Sequence, residues 1–158
     1  MISPEDKIKQ LNIKLPNAPN PVANYVPIVQ TGNLLFVSGN GPGLKHDRTV
    51  YSGKPGFSIS EEDAIEASYS VGINILSQVK KHTGSLNNVS RVIRVFGMIN
   101  STHDFKNHSK IIDACSNLFT EIFAEDGIHS RTSIGMGSLP FQIPVEIETI
   151  FELKVNKE

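Results

Sequence analysis

Apolar positions recur at helical spacing in two long stretches and run as short alternating or continuous segments elsewhere, with turn-forming residues between them. Ala64, Ala67, Val71, Ile75 and Val79 make one helical stripe, opened by a capping box of Ser60 and Asp63 and closed by Gly84. Ile111, Ile112, Cys115, Leu118, Phe119 and Ile122 make a second, which Gly127 stops and which Ser101 and Asp104 are placed to cap. A short N-terminal helix is predicted to about Leu11, with Ser3 as N-cap, Pro4 at N1 and Glu5 and Asp6 in the first turn.

Strands are predicted from Tyr25 to Thr31 and from Leu34 to Ser38, joined by a Gly32-Asn33 turn. An irregular Gly- and Pro-punctuated loop follows to Gly56, with a short edge strand near Val50-Tyr51. Arg91 to Ile99 is predicted as a strand apolar on both faces, Val92, Phe96 and Met98 alternating with Ile93, Val95 and Ile99. Thr132 to Met136 and Val145 to Leu153 close the chain as strands.

This order predicts an α+β fold, one mixed sheet with two helices packed on one face. A strand apolar on both faces needs cover on both, and two helices cover only one. Further copies of the same chain are the economical cover for the other. With no repeat or linker, residues 1–158 read as one domain, with a core from 25 to 153 and an N-terminal helix and loop extension over 1–24.

Composition narrows the function. The 39% apolar and 20% charged fractions are those of a globular protein. A formal charge of −1, with Lys80-Lys81 the only adjacent basic pair, supplies no stripe for a nucleic acid. The polar, acidic N-terminus has no apolar h-region, no run approaches the roughly eighteen apolar residues of a membrane span, and Cys115 is the single cysteine. Those features predict a cytoplasmic protein without a membrane segment.

Several apparent motifs fail on spacing. Ser38-Gly39-Asn40-Gly41-Pro42 follows a strand but lacks the Lys-Ser/Thr ending of a phosphate loop, so a backbone-lined ligand wall is the better reading. Gly135-Met136-Gly137-Ser138 has no serine at nucleophile-elbow spacing. His46, His82, His103, His108 and His129 are scattered, so no metal site is predicted, and Cys115 lies on a core stripe. In Val145-Glu146-Ile147-Glu148 both carboxylates project from one strand face, while Val145, Ile147, Phe151 and Leu153 take the other. The residues alone leave two readings: exposed acids or a salt bridge with Arg131, or functional carboxylates at a subunit boundary.

Five pieces in register resemble the Rid (YjgF-type) family of reactive-intermediate deaminases, in its longer-chain branch. They are Tyr25, Ser38 to Pro42, Arg131, Leu139-Pro140 and Val145 to Glu148, and the likeness runs from Tyr25 to Leu153. The resemblance implies a chorismate-mutase-like (YjgF-like) fold, a homotrimer around a central barrel, and clefts between subunits. It implies hydrolysis of 2-imino or enamine acids to 2-oxo acids and ammonia, with no metal or cofactor. Arg131 would grip the substrate carboxylate and Glu148 would hold the water, with Tyr25, Ser38, Gly39 and Ser133 lining the cleft. The sequence departs from the family where Ser133 replaces a frequent Cys and Asn40 a usual Gln, and in the long loop from Gly43 to Phe57. Alternatives are a carboxylate-binding regulator without turnover, and RNA cleavage or translation inhibition.

Overall fold

The computed structural model describes residues 2–18, 23–45 and 49–155. His46, part of the N-terminal extension and part of the 43–57 loop thus lie outside the described residues. The elements are α1 (Pro4–Gln10), β1 (Ile28–Thr31), β2 (Leu34–Asn40), α2 (Glu61–Thr83), β3 (Val89–Asn100), α3 (His108–Phe123), β4 (Ser130–Met136) and β5 (Val145–Leu153), with three short 3-10 turns between them. The α+β expectation holds: one five-stranded mixed sheet runs β1-β2-β5-β3-β4, with β3 and β4 parallel and the other pairings antiparallel.

Local chemistry sets the helix ends. Ser60 accepts a hydrogen bond from the Asp63 backbone N–H, and Gly84 closes α2 at φ 80°, a left-handed conformation that costs glycine little. Ser3 caps α1 through the Asp6 N–H, and Glu5 ties that helix to α2 by an ion pair with Lys80 at 2.7 Å. Helix α3 departs from expectation: it starts at His108 behind Asn107, which makes no side-chain cap. Ser101 instead bonds the His108 ring at 3.2 Å, and Asp104 accepts from Thr102, because the chain turns once more between β3 and α3. The strand expected near Val50-Tyr51 is only an isolated bridge between Leu44 and Val50.

Helices α2 and α3 pack on one sheet face. The apolar stripes of both meet Leu35, Val37, Val92, Val95, Ile99, Val145, Ile147 and Phe151, and all are buried. The other face carries Val29, Phe36 and Ile134, which stay 55%, 42% and 37% exposed. Three register slips against β5 interrupt the ladders, one of them between Val89 and Arg91, and the other two change which residues face the core and the site. Between Val92 and Arg94 the register against β5 slips, so Val92 and Val95 both turn toward the helices, where strict alternation had separated them. A second slip between Val37 and Asn40 of β2 swings Asn40 inward, leaving it 4% exposed.

Candidate functional site

The bulge in β2 opens a hollow of about 400 Å³. Tyr25, Ser38 and Gly39 line it, together with Glu146 of β5, Phe141 and Ile143 of the preceding turn, and Asn74 and Gln78 of α2. Ser38 donates its hydroxyl hydrogen to the Val26 carbonyl at 2.8 Å, so toward the hollow its oxygen can only accept. Gly39 matters through what it lacks: a Cβ there would overlap Oε1 of Glu146. Only a residue without a side chain lets that carboxylate lie against the strand. Burial pushes the Glu146 carboxyl above the usual range, and the neighbouring Glu148 charge adds to the shift.

Glu148 shares the face with Glu146 but not the hollow. It lies in a separate depression of about 220 Å³ with Phe36, Arg94, Phe96 and Ile150. Glu146 is the carboxylate in the hollow with Tyr25, Ser38 and Gly39, while Ser38 also borders the depression that holds Glu148. Parity along the strand is the same for both acids. Only the register against the bulged β2 separates them, Asn40 standing opposite Ile147.

Arg131 is elsewhere. Its partner in the parallel ladder is Val95, whose side chain is buried under the helices, and the Arg131 side chain follows it to that face. There its Nη1 donates to Asp113 Oδ1 at 2.7 Å and to Ser116 Oγ at 3.1 Å. The reading in which Arg131 makes a salt bridge with Glu146 or Glu148 is corrected by this register, since its ion pair is with Asp113. Strand β4 is also an edge strand, three positions from β2 and thus roughly 14 Å away.

A relay missed in the sequence surrounds Arg131. His129 Nδ1 lies 2.6 Å from the Gly127 carbonyl, which can only accept, so Nδ1 carries the proton. Nε2 then accepts from Ser116 Oγ at 2.9 Å, and that oxygen in turn receives the Arg131 Nη1 hydrogen. Burial pushes the His129 pKa down, the Arg131 charge adds to this, and the bond to Gly127 opposes it. Ser133, two residues along β4, has a buried hydroxyl with no hydrogen-bond partner among the described residues. Asp113 and Ser116, three apart on α3 and off its apolar stripe, were the available signal for a polar helix edge.

A family model described as "YjgF/chorismate_mutase-like, putative endoribonuclease" matches residues 5–147. The chain is 33% identical over 148 residues to Protein TCP17 of Trypanosoma cruzi, covering 92% of this chain and 91% of that protein. Among solved structures it is similar to Atu1372 of Agrobacterium tumefaciens, a protein described as of unknown function. The identity is 36% and the TM-score 0.84, over 96% of this chain and 92% of that one. A Shewanella oneidensis protein described as a putative endoribonuclease superposes with TM-score 0.90 at 27% identity, over 96% of this chain and 100% of that one. RidA from an Antarctic Psychrobacter shares the fold, with TM-score 0.59 at 21% identity, over 87% of this chain and 94% of that one.

Proposed function

The chain belongs to the YjgF/chorismate mutase-like (Rid) family, and on that premise we propose that it hydrolyses 2-imino acids in a site shared between two copies of itself. The observation that carries this reading is the division of the site. A raised-pKa carboxyl sits against Gly39 on one side of the sheet, and the Arg131 guanidinium sits at the far edge, on the other face. Within one chain they lie on opposite faces, and a neighbour presenting its β4 edge to the hollow would bring them to one ligand. The exposed Val29, Phe36 and Ile134 favour such assembly, since apolar patches of this kind mark contact surfaces. A homotrimer closing this face into a central barrel is the arrangement we propose.

The roles follow from the groups. The guanidinium of Arg131 binds the substrate carboxylate, oriented by Asp113 and Ser116. Glu146 takes a proton from water as its oxygen bonds to C2 of the protonated imine. The resulting carbinolamine then loses its C–N bond: the nitrogen receives that proton and leaves as ammonia, while the C2 hydroxyl gives its own proton to the freed Glu146 carboxylate and becomes the carbonyl of the 2-oxo acid. A carboxyl raised toward neutrality exchanges a proton with water and amine more readily than an ordinary one. Ser38 and Tyr25 border the space for the reacting carbon.

The test is loss of an imine generated by an amino-acid oxidase, followed with wild type and with Arg131→Ala and Glu146→Gln. Each variant alone is expected to be inactive. Mixed and reassembled, they are expected to recover up to about a quarter of the activity, because random pairing joins an intact Arg131 to an intact Glu146 at that frequency. No recovery would place both groups in one chain and sink the shared site. A carboxylate-binding regulator would bind 2-oxo acids through Arg131 and leave the imine untouched.

A further inference from the structure

The hollow has an inner wall that the hydrolysis step does not use. Asn74 and Gln78 stand one turn apart on α2, so their side chains share a face. Both line the hollow, and they are only 9% and 8% exposed. Their orientation follows from the carbonyls around them. Asn40 Nδ2 donates to the Ser38 carbonyl at 2.8 Å, and a carbonyl oxygen can only accept, so Asn40 presents its NH2 group on that side. The same NH2 reaches Gln78 Oε1 at 3.2 Å, which leaves the Gln78 NH2 group turned away from Asn40. Asn74 Nδ2 is held by the Gly41 carbonyl at 3.1 Å, which leaves its Oδ1. Among the described residues, neither Gln78 Nε2 nor Asn74 Oδ1 has a hydrogen-bond partner. The bulge in β2 creates this arrangement, because it turns Asn40 inward onto Gln78.

We propose that this wall selects the substrate side chain, and that it selects a neutral carboxamide. The inference rests on the 2-imino acid reading of the same site and names its substrate class. A carboxamide oxygen accepts from the Gln78 NH2, and a carboxamide N–H donates to Asn74 Oδ1, so one planar group satisfies both. An aliphatic side chain of the same size would strip water from the buried amides and return no hydrogen bond. A carboxylate side chain would meet Glu146 with no cation left to offset it, since the chain's own lining holds no Lys or Arg among the described residues and the neighbour's Arg131 is engaged by the 2-imino acid's carboxylate.

Three stable carboxylates of nearly identical shape test this on the intact protein: succinamate, 4-methylpentanoate and succinate. Titration calorimetry on wild type is expected to rank succinamate first, roughly 5- to 150-fold tighter than 4-methylpentanoate. Succinate is expected to bind more weakly than succinamate. In Gln78→Met, which keeps length and removes the donors, the gap between succinamate and 4-methylpentanoate is expected to close. Should that variant fail to fold, the wild-type ranking decides alone. Equal or tighter binding of 4-methylpentanoate by wild type, or an unchanged gap in a folded Gln78→Met, overturns the proposal; so does failure of all three to bind. Binding is read without turnover, so the two readings separate. Succinamate ranking first while no imine is hydrolysed removes the hydrolase and keeps the selectivity. Imine hydrolysis with the ranking absent does the reverse.

Discussion

The Glu146 carboxylate lies so close over the α-carbon of Gly39 that a methyl group at residue 39 would overlap its Oε1. The obstructing atom is the end of a flexible side chain, so the fold can absorb an alanine by moving Glu146 aside. Gly39→Ala is therefore expected to leave thermal stability nearly unchanged. Imine turnover is expected to fall about 100-fold, the scale of an ångström-sized displacement of a catalytic group. A large drop in Tm with turnover intact would show that Gly39 serves packing alone.

Glu146 and Glu148 of β5 should separate cleanly. Glu146→Gln is expected to lower kcat by about 10²- to 10⁴-fold, the range for a lost general acid–base group, with little change in ligand affinity. Glu148→Gln, in its own depression with Arg94 and Phe96, is expected to retain most activity. The opposite pattern would return the acid role to Glu148.

Stability against pH gives a second reading of Glu146. Its folded pKa lies above the ordinary carboxylate range, so the folded state holds this proton longer than the unfolded chain does. Its contribution is complete below the ordinary range and is lost as pH rises through the raised value. At neutral pH, Glu146→Gln is therefore expected to melt at or above the wild-type temperature. Differential scanning fluorimetry from pH 4 to pH 8 checks this, and a clearly lower Tm for the variant across that range contradicts it.

His129 has the opposite sign. Its folded pKa is pushed below the ordinary histidine value, chiefly by burial, so stability is present above that value and is lost as pH falls through the folded pKa. Protonation also turns Nε2 into a donor, so it can no longer accept from Ser116, the oxygen that receives Arg131. Wild type is expected to lose more Tm between pH 7 and pH 5 than His129→Gln does. Its affinity for succinamate is expected to weaken over the same interval, more than that of the variant. Parallel behaviour of the two proteins would leave His129 no part in holding Arg131.

Cys115 is wholly buried on the core side of α3, and burial pushes its thiol far above the ordinary range. The native protein is expected not to react with a thiol reagent until it is unfolded. Cys115→Ala is expected to cost roughly 1 kcal/mol of stability, as a small core truncation. Rapid native labelling with loss of activity would overturn this.

Helices α1 and α2 and their ends were legible because their causes are local. Ser60 with Asp63, Gly84 with Lys80 and the stripe from Ala64 to Val79 are all settled within a few residues of chain. The family was legible for a different reason: Tyr25, Ser38 to Pro42, Arg131 and Val145 to Glu148 keep their order whatever the chain does in space. The cap of α3 failed because Ser101 and Asp104 found partners before the helix began, a choice that a tertiary turn makes and a capping rule does not see.

Faces and neighbours belonged to the tertiary structure. Strict alternation assigns Val92 and Val95 to opposite faces and treats Glu146 and Glu148 alike, since period two carries no knowledge of bulges or of the strand alongside. Two inserted residues undo this. One returns Val92 to the core; the other turns Asn40 onto Gln78 and sets Glu146 against Gly39. Pairing of Arg131 with Val95 sent the guanidinium under α3, away from both acids. The sequence by itself thus determined the helical stripes, the order of the elements and the family. Which side chains share a surface was decided only by strand register, because a shift of one residue reverses every side chain on a strand.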